Sequence, residues 1–412
     1  MPHADTFPGA KTPPRGSAGE KRLADGAREA FLSALSGVLV DPPVHHAFAG
    51  AIEREAANSI WTWMARDIAQ AEAARLADAI DSGADPLEAF DLMLPEFLDR
   101  LKANAEAEKD DRELARRNSI QMGGEDARKR LAHVIMAMRR RPLLDQAAKF
   151  GVAVGAISDE ATLAQALQSI AITNPVTRAL WMQAMVAHMA NPSRAMAAAV
   201  AISGGNSETL ITNSGYAPLV EAILSHAQSQ IGKLASQPNV FSDIDFACKA
   251  IHRFHRLMRA VNYTLEIERR SLWGAIISDL TGKLSERLER PMKEITLNVS
   301  QALRRPRDGN DSIDPDQVLA ALNGLYLLMT VRQSRDSLAV NALLDQAWSE
   351  TGQAVEVLVT RALDGFRANP GDAAARERLE AGIKMAEIRF NAEYADILRR
   401  ARDGADRRTA QL

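Results

Sequence analysis

Apolar residues recur along most of the chain at steps of three and four, the period of a helix that buries one face. Nowhere do they alternate with polar residues over the length of a useful strand. Periodicity begins near Leu23 and runs to about Leu39, where Asp41-Pro42-Pro43 stops it, because proline lacks the N–H that a helix interior uses. From Val44 onward, Phe48, Ile52, Ile60, Trp63, Met64, Ile68, Leu76 and Ile80 mark one face of a long helix, closed by Asp81-Ser82-Gly83. Pro86 opens the next, with Phe90, Leu94, Phe97, Leu98 and Leu101, and it runs into a charged stretch that Gly123-Gly124 breaks. Leu131, Val134, Ile135 and Met138 carry another helix to the arginines before Pro142.

Between residues 157 and 205 the predicted helices shorten. Asn174-Pro175 and Asn191-Pro192 each restart one, since asparagine caps a helix and proline suits its first turn. A loop rich in Gly, Asn and Ser covers 203–215.

The strongest pattern follows. Ile244, Ala247, Ile251, Phe254, Met258, Val261 and Leu265 fall on alternating three- and four-residue steps, a coiled-coil-like seam for a helix packed lengthwise on another. Ile251, Phe254 and Met258 at its centre are the candidate partner-binding residues. The apolar face continues through Leu272, Ile276, Leu280, Leu284 and Leu288, and Pro291 is expected to kink or end it. Leu319, Leu322, Leu325 and Met329 mark a later helix, Leu344, Trp348, Val355, Val359 and Phe366 another, and Leu379, Ile383, Phe390 and Ile397 the last.

The pattern therefore predicts an all-α protein, an extended multi-helix bundle or helical-hairpin array with long antiparallel helices and a flexible N-terminal tail. Four regions are expected: a disordered tail over 1–24, an N-terminal helical region over 25–150, a short-helix region over 151–240, and a long-helix bundle over 241–405.

Composition agrees. Of 412 residues, 46% are hydrophobic and only 5% aromatic, with alanine and leucine supplying most of the apolar content, and this mix favours helices over sheets. The net charge of −3 disfavours nucleic acid as a partner. Of the basic clusters at Arg116-Arg117, 139–141, 304–307 and Arg399-Arg400, several sit where helices are expected to end and complement the helix dipole there. The single cysteine, Cys248, cannot form an internal disulfide. The N-terminal stretch lacks the apolar core of a secretory signal, and no apolar run is long enough to span a membrane, so a soluble cytoplasmic protein is expected.

Chemical signatures are sparse. HExxH, CxxC, GxSxG and a P-loop are absent, and no cofactor is implied. One constellation stands out: Asp245, Cys248, His252 and His255 share a helical stripe beside the apolar seam. Carboxylate, thiolate and imidazole are sound ligands for zinc and related metals. A polar flank satisfied by hydrogen bonds is the simpler reading, because one rigid helix cannot surround an ion alone. His45 and His46 read as a helix entry, Trp181, Met182, Met185 and Met189 as a packing face, and Asp308, Asp311, Asp314 and Asp316 as a solvated turn.

The expected function is a non-enzymatic helical scaffold or adaptor acting through a protein partner, with oligomerisation allowed. The alternatives are a substrate or regulator of a specialised secretion apparatus, addressed by the tail, and a metal-binding sensor or enzyme built on the Cys248, His252 and His255 stripe.

Overall fold

A computed structural model describes residues 18–237, 242–304 and 312–409, with side chains from 25 to 407. Eighteen α-helices account for most of the described residues, and the strands among them, Leu39–Val40 and Ile52–Glu53, are two residues each. The protein is an all-α multi-helix fold. Most of the expected tail lies outside the described residues, but a helix already begins at Ala18. Glu, Lys and Arg at 20–22 read as tail by polarity, yet all three are good helix formers.

The chain forms two compact units, one from residues up to Leu39 with Ile52–Leu144, the other from Val40–Ala51 with Asp145–Leu412. No boundary falls near residue 240, where the sequence suggested one, because the helices before and after it pack on each other within the second unit.

The first unit holds α1 (Ala18–Ala34), α2 (Arg54–Trp63), α3 (Gln70–Asp81), α4 (Pro86–Asp110), α5 (Arg112–Gln121) and α6 (Glu125–Arg139). Its core is a closed set of four rings. Phe31 stacks on Trp61 at 5.1 Å and meets Phe90 at 6.0 Å, while Phe97 lies 5.8 Å from both Trp61 and Phe90. Offset and edge-on pairs of this kind add about 0.5–1.5 kcal/mol each beyond the area they bury. Asp85 caps α4 by accepting from the Leu87 and Glu88 amides, and Pro86 occupies the first turn. Gly123 and Gly124 both adopt positive φ, which turns the chain between α5 and α6.

The single helix expected from Val44 to Ile80 is divided in the structure. Residues up to 51 are not helical, and a π-helical turn, Met64–Ile68, separates α2 from α3. The helix expected to continue past 104 also breaks, at Asp111, whose carboxylate caps α5 through the Leu114 amide.

The second unit holds α7 (Arg141–Ala153, in which the unit boundary falls), α8 (Glu160–Gln168), α9 (Pro175–His188), α10 (Pro192–Ser203), α11 (Glu208–Asn213), α12 (Ala217–Ala235), α13 (Ile244–Asn262), α14 (Leu272–Leu303), α15 (Pro315–Gln333), α16 (Asn341–Ala368), α17 (Ala373–Arg389) and α18 (Ala392–Thr409). Asn174 and Asn191 cap α9 and α10, as their Asn-Pro pairs lead one to expect. Pro291, expected to kink or end a helix, does not end it and lies buried inside the 32-residue α14. A proline removes one backbone donor from a helix, and here packing against α12, α15, α16 and α17 outweighs that loss.

The second unit also explains why Val44–Ala51 is not helical. The Gln228 side-chain oxygen on α12 accepts from the His45 and His46 amides, at 2.9 and 2.7 Å, and its nitrogen donates to the His46 carbonyl at 3.1 Å. A side chain thus satisfies the amides that a helix would have paired. The His46 ring then reaches Asp279 on α14 at 2.7 Å. This strap lies so close to α12 that a Cβ on Gly232 would come within 2.8 Å of the Asp41 and Pro42 carbonyl oxygens. Replacing glycine by alanine in a helix normally stabilises it by about 1 kcal/mol. Gly232→Ala is expected to do the reverse, lowering stability by about 1–3 kcal/mol through overpacking against rigid backbone. Hydrogen exchange should show the His45 and His46 amides losing protection, and a raised melting temperature would refute this placement of the strap.

Three arginines close helix ends in this unit. Arg253 donates to the Val186 and Met189 carbonyls at the end of α9, Arg194 to Val154, Gly155 and Ile157 after α7, and Arg287 to Leu234 and Gln237 after α12. Each guanidinium adds a donor to carbonyls at or just beyond a helix C-terminus, where the regular i+4 amides run out.

Candidate functional site

Asp243 starts α13 by accepting from the Phe246 amide at 2.9 Å. The seam that follows is packed inside the unit: Ile251, Phe254 and Met258 have no exposed surface, because α13 lies against α10, α12 and α15. These three residues therefore offer nothing to a partner. A heptad seam signals lengthwise packing, and the partner here is the same chain.

The polar stripe beside the seam does not converge. Asp245 is exposed in the first turn. The Cys248 sulfur, half-buried, lies 4.0 Å from the Tyr326 carbonyl oxygen, and burial pushes its thiol up. The metal-binding and nucleophilic form is the thiolate, which this setting disfavours. Burial and then Arg256 lower His252, while burial and then Arg259 lower His255, whose Nδ1 lies 2.9 Å from the Ser337 hydroxyl. Among the described residues no three His, Cys, Asp or Glu side chains are grouped so as to hold a metal ion.

A second polar set lies deeper, where α12 buries Ser225, His226, Gln228, Ser229 and Gln230. Gln183 of α9 donates to Ser225 at 3.0 Å, and the His226 Nε2–H donates to the Gln183 carbonyl at 2.9 Å. This network is closed to solvent and joins helices.

No protein-family model, curated protein or solved structure matches the chain. What the chain can bind is written on its own surface.

That surface is most informative at α15. Ala321, Leu325, Leu327, Leu328 and Val331 are buried against α13, α14, α16 and α17. A helix apolar on every side normally lies wholly inside a protein. On α15, however, Leu319 and Tyr326 are 56% and 51% exposed, and Leu322 and Met329 are half-buried. Steps of three, four and three put these four on one outer stripe. In the sequence Leu319, Leu322, Leu325 and Met329 together mark the helix, and only the structure separates the covered positions from the open ones.

At the C-terminal end of that helix, Arg332 stacks on the Trp348 ring at 3.7 Å and Arg389 of α17 at 3.5 Å. At such distances the two guanidiniums occupy opposite faces of the indole, each held by the ring's negative face. Arg389 also donates to the Trp348 carbonyl and the Thr351 hydroxyl. Burial and then Arg332 lower Arg389 to about 10, so Arg389 remains a cation at neutral pH. The sequence does not reveal this stack because its three members lie on three helices.

Among the described residues no helix is long and apolar enough to cross a membrane.

Proposed function

We propose that the protein is a non-enzymatic helical scaffold or adaptor that docks an amphipathic helix of a partner protein on the outer face of α15. The supporting observation is the open apolar stripe of Leu319, Leu322, Tyr326 and Met329 on a helix otherwise covered on its apolar sides. The stripe extends over about 15 Å of helix, enough for the i, i+3, i+7 anchors by which a helix seats in a groove. The Arg332–Trp348–Arg389 stack at one end favours a partner with a carboxylate beside its apolar face.

The test is crosslinking capture of the tagged full chain from its native host, run beside a Leu319→Asp, Tyr326→Asp double variant. Both positions are exposed, so the variant is expected to keep its circular dichroism spectrum and melting temperature. A partner recovered with the wild type and reduced roughly tenfold or more with the variant, the scale of losing one interface hot spot, supports the reading. Equal recovery with both chains, or no specific partner at native expression, overturns it. A second copy of the chain captured in this way would identify the protein as its own partner.

A further inference from the structure

We infer that a cavity between α14, α16 and α17 is a binding site for a small monoanion carrying an apolar tail. The cavity measures about 380 Å³, within the range of small-ligand sites. Leu303, Ala362 and Ala375, all buried, form its apolar floor with Leu358, while Arg304, Arg361 and Arg378 line it from three different helix segments. The one carboxylate present, Asp372, already caps α17 by accepting from the Ala374 and Ala375 amides. Its charge is thus directed at the positive end of the helix.

The three guanidiniums are not equivalent. Arg378 is buried and engaged within the fold, so it supplies field more than free donors. Arg304 and Arg361 are exposed and have no hydrogen bond or ion pair among the described residues. They are the donors available to an anionic head, and guanidinium donors suit carboxylate and sulfonate oxygens through paired N–H bonds. The tail is accommodated beside Gly365, where an added Cβ would meet nothing within 4 Å. The glycine leaves open the space that a side chain would take.

This inference does not depend on the α15 surface, and its experiment separates the two. The full chain is titrated with 1-anilinonaphthalene-8-sulfonate, an aryl monoanion whose fluorescence rises on apolar burial. One saturable site is expected, with the Leu319→Asp, Tyr326→Asp variant binding as the wild type does. Arg361→Glu should weaken binding roughly tenfold or more, the effect of losing one charge-assisted hydrogen bond. Gly365→Leu should weaken it similarly by filling the cavity, since its Cβ would meet nothing within 4 Å.

Competitors then distinguish the ligand's source. Displacement by decanoate and not by decanol indicates a free acid. Displacement by a leucine-ended peptide with a free carboxylate, and not by its amide, indicates a chain terminus. Displacement by neither acid, or a titration unchanged in both Arg361→Glu and Gly365→Leu, overturns the inference.

Discussion

Truncation of Phe254 to alanine is expected to destabilise the second unit by about 3–5 kcal/mol. The ring is fully buried on α13, with Ile251, Leu257 and Met258 equally inaccessible beside it. Removing it forfeits the transfer energy of the ring and leaves a cavity that α10, α12 and α15 cannot close without shifting together. Denaturant unfolding should show a lower midpoint with an unchanged slope, the sign of lost stability without a change in the denatured state. Any loss of partner capture by Phe254→Ala should track this unfolding. Were the variant as stable as the wild type yet unable to bind, Phe254 would be an interface residue and its buried placement would be wrong.

Acidification from pH 6.5 to about pH 4 is expected to reduce stability, with His226 the largest single histidine contributor. Burial, against the smaller opposing pull of its hydrogen bond to the Gln183 carbonyl, lowers this histidine from 6.5 to about 4. In that interval the unfolded chain binds a proton that the folded chain refuses, so folding weakens as pH falls. The stabilisation present above pH 6.5 is lost progressively and is gone below about pH 4. The amount is on the order of 3 kcal/mol. His45, His133, His252 and His255 are also lowered by burial and act in the same direction. Glu221, raised by burial, opposes them. A His226→Gln variant isolates the contribution: its unfolding free energy should change less than the wild type's between pH 7 and pH 4.5. An identical pH dependence in the two chains would show that His226 is protonated or exposed in the folded state.

What the sequence makes legible here is local. Asp85-Pro86 and the two Asn-Pro pairs start helices because both the cap and the fixed proline φ act within one turn. The strap at 41–51 is illegible for the opposite reason: its amides are satisfied by Gln228, 183 residues after His45. Pro291 does not end α14 because packing against α12, α15, α16 and α17 outweighs a local signal. On α15, Leu319 and Leu325 carry the same apolar code, and nothing local says that one is open and the other covered. The stripe of Asp245, Cys248, His252 and His255 does share one side of α13, yet its partners, the Tyr326 carbonyl and the Ser337 hydroxyl, come from later segments. The cavity arginines at 304, 361 and 378 are gathered only by the packing of α14, α16 and α17.

The strap also sets an order for biosynthesis. It leaves the ribosome before the glutamine that holds it has been translated, and Asp279, the partner of His46, is encoded 233 residues after that histidine. At about 5–20 residues per second, the delay is on the order of 10–50 seconds. Until residue 228 is made the strap lacks its glutamine, and until residue 279 its aspartate, although the sequence of the first unit is completed at Leu144. A nascent chain stalled before Gln228 should therefore expose Val44–Ala51 to a protease or a chaperone, and one released after Asp279 should not.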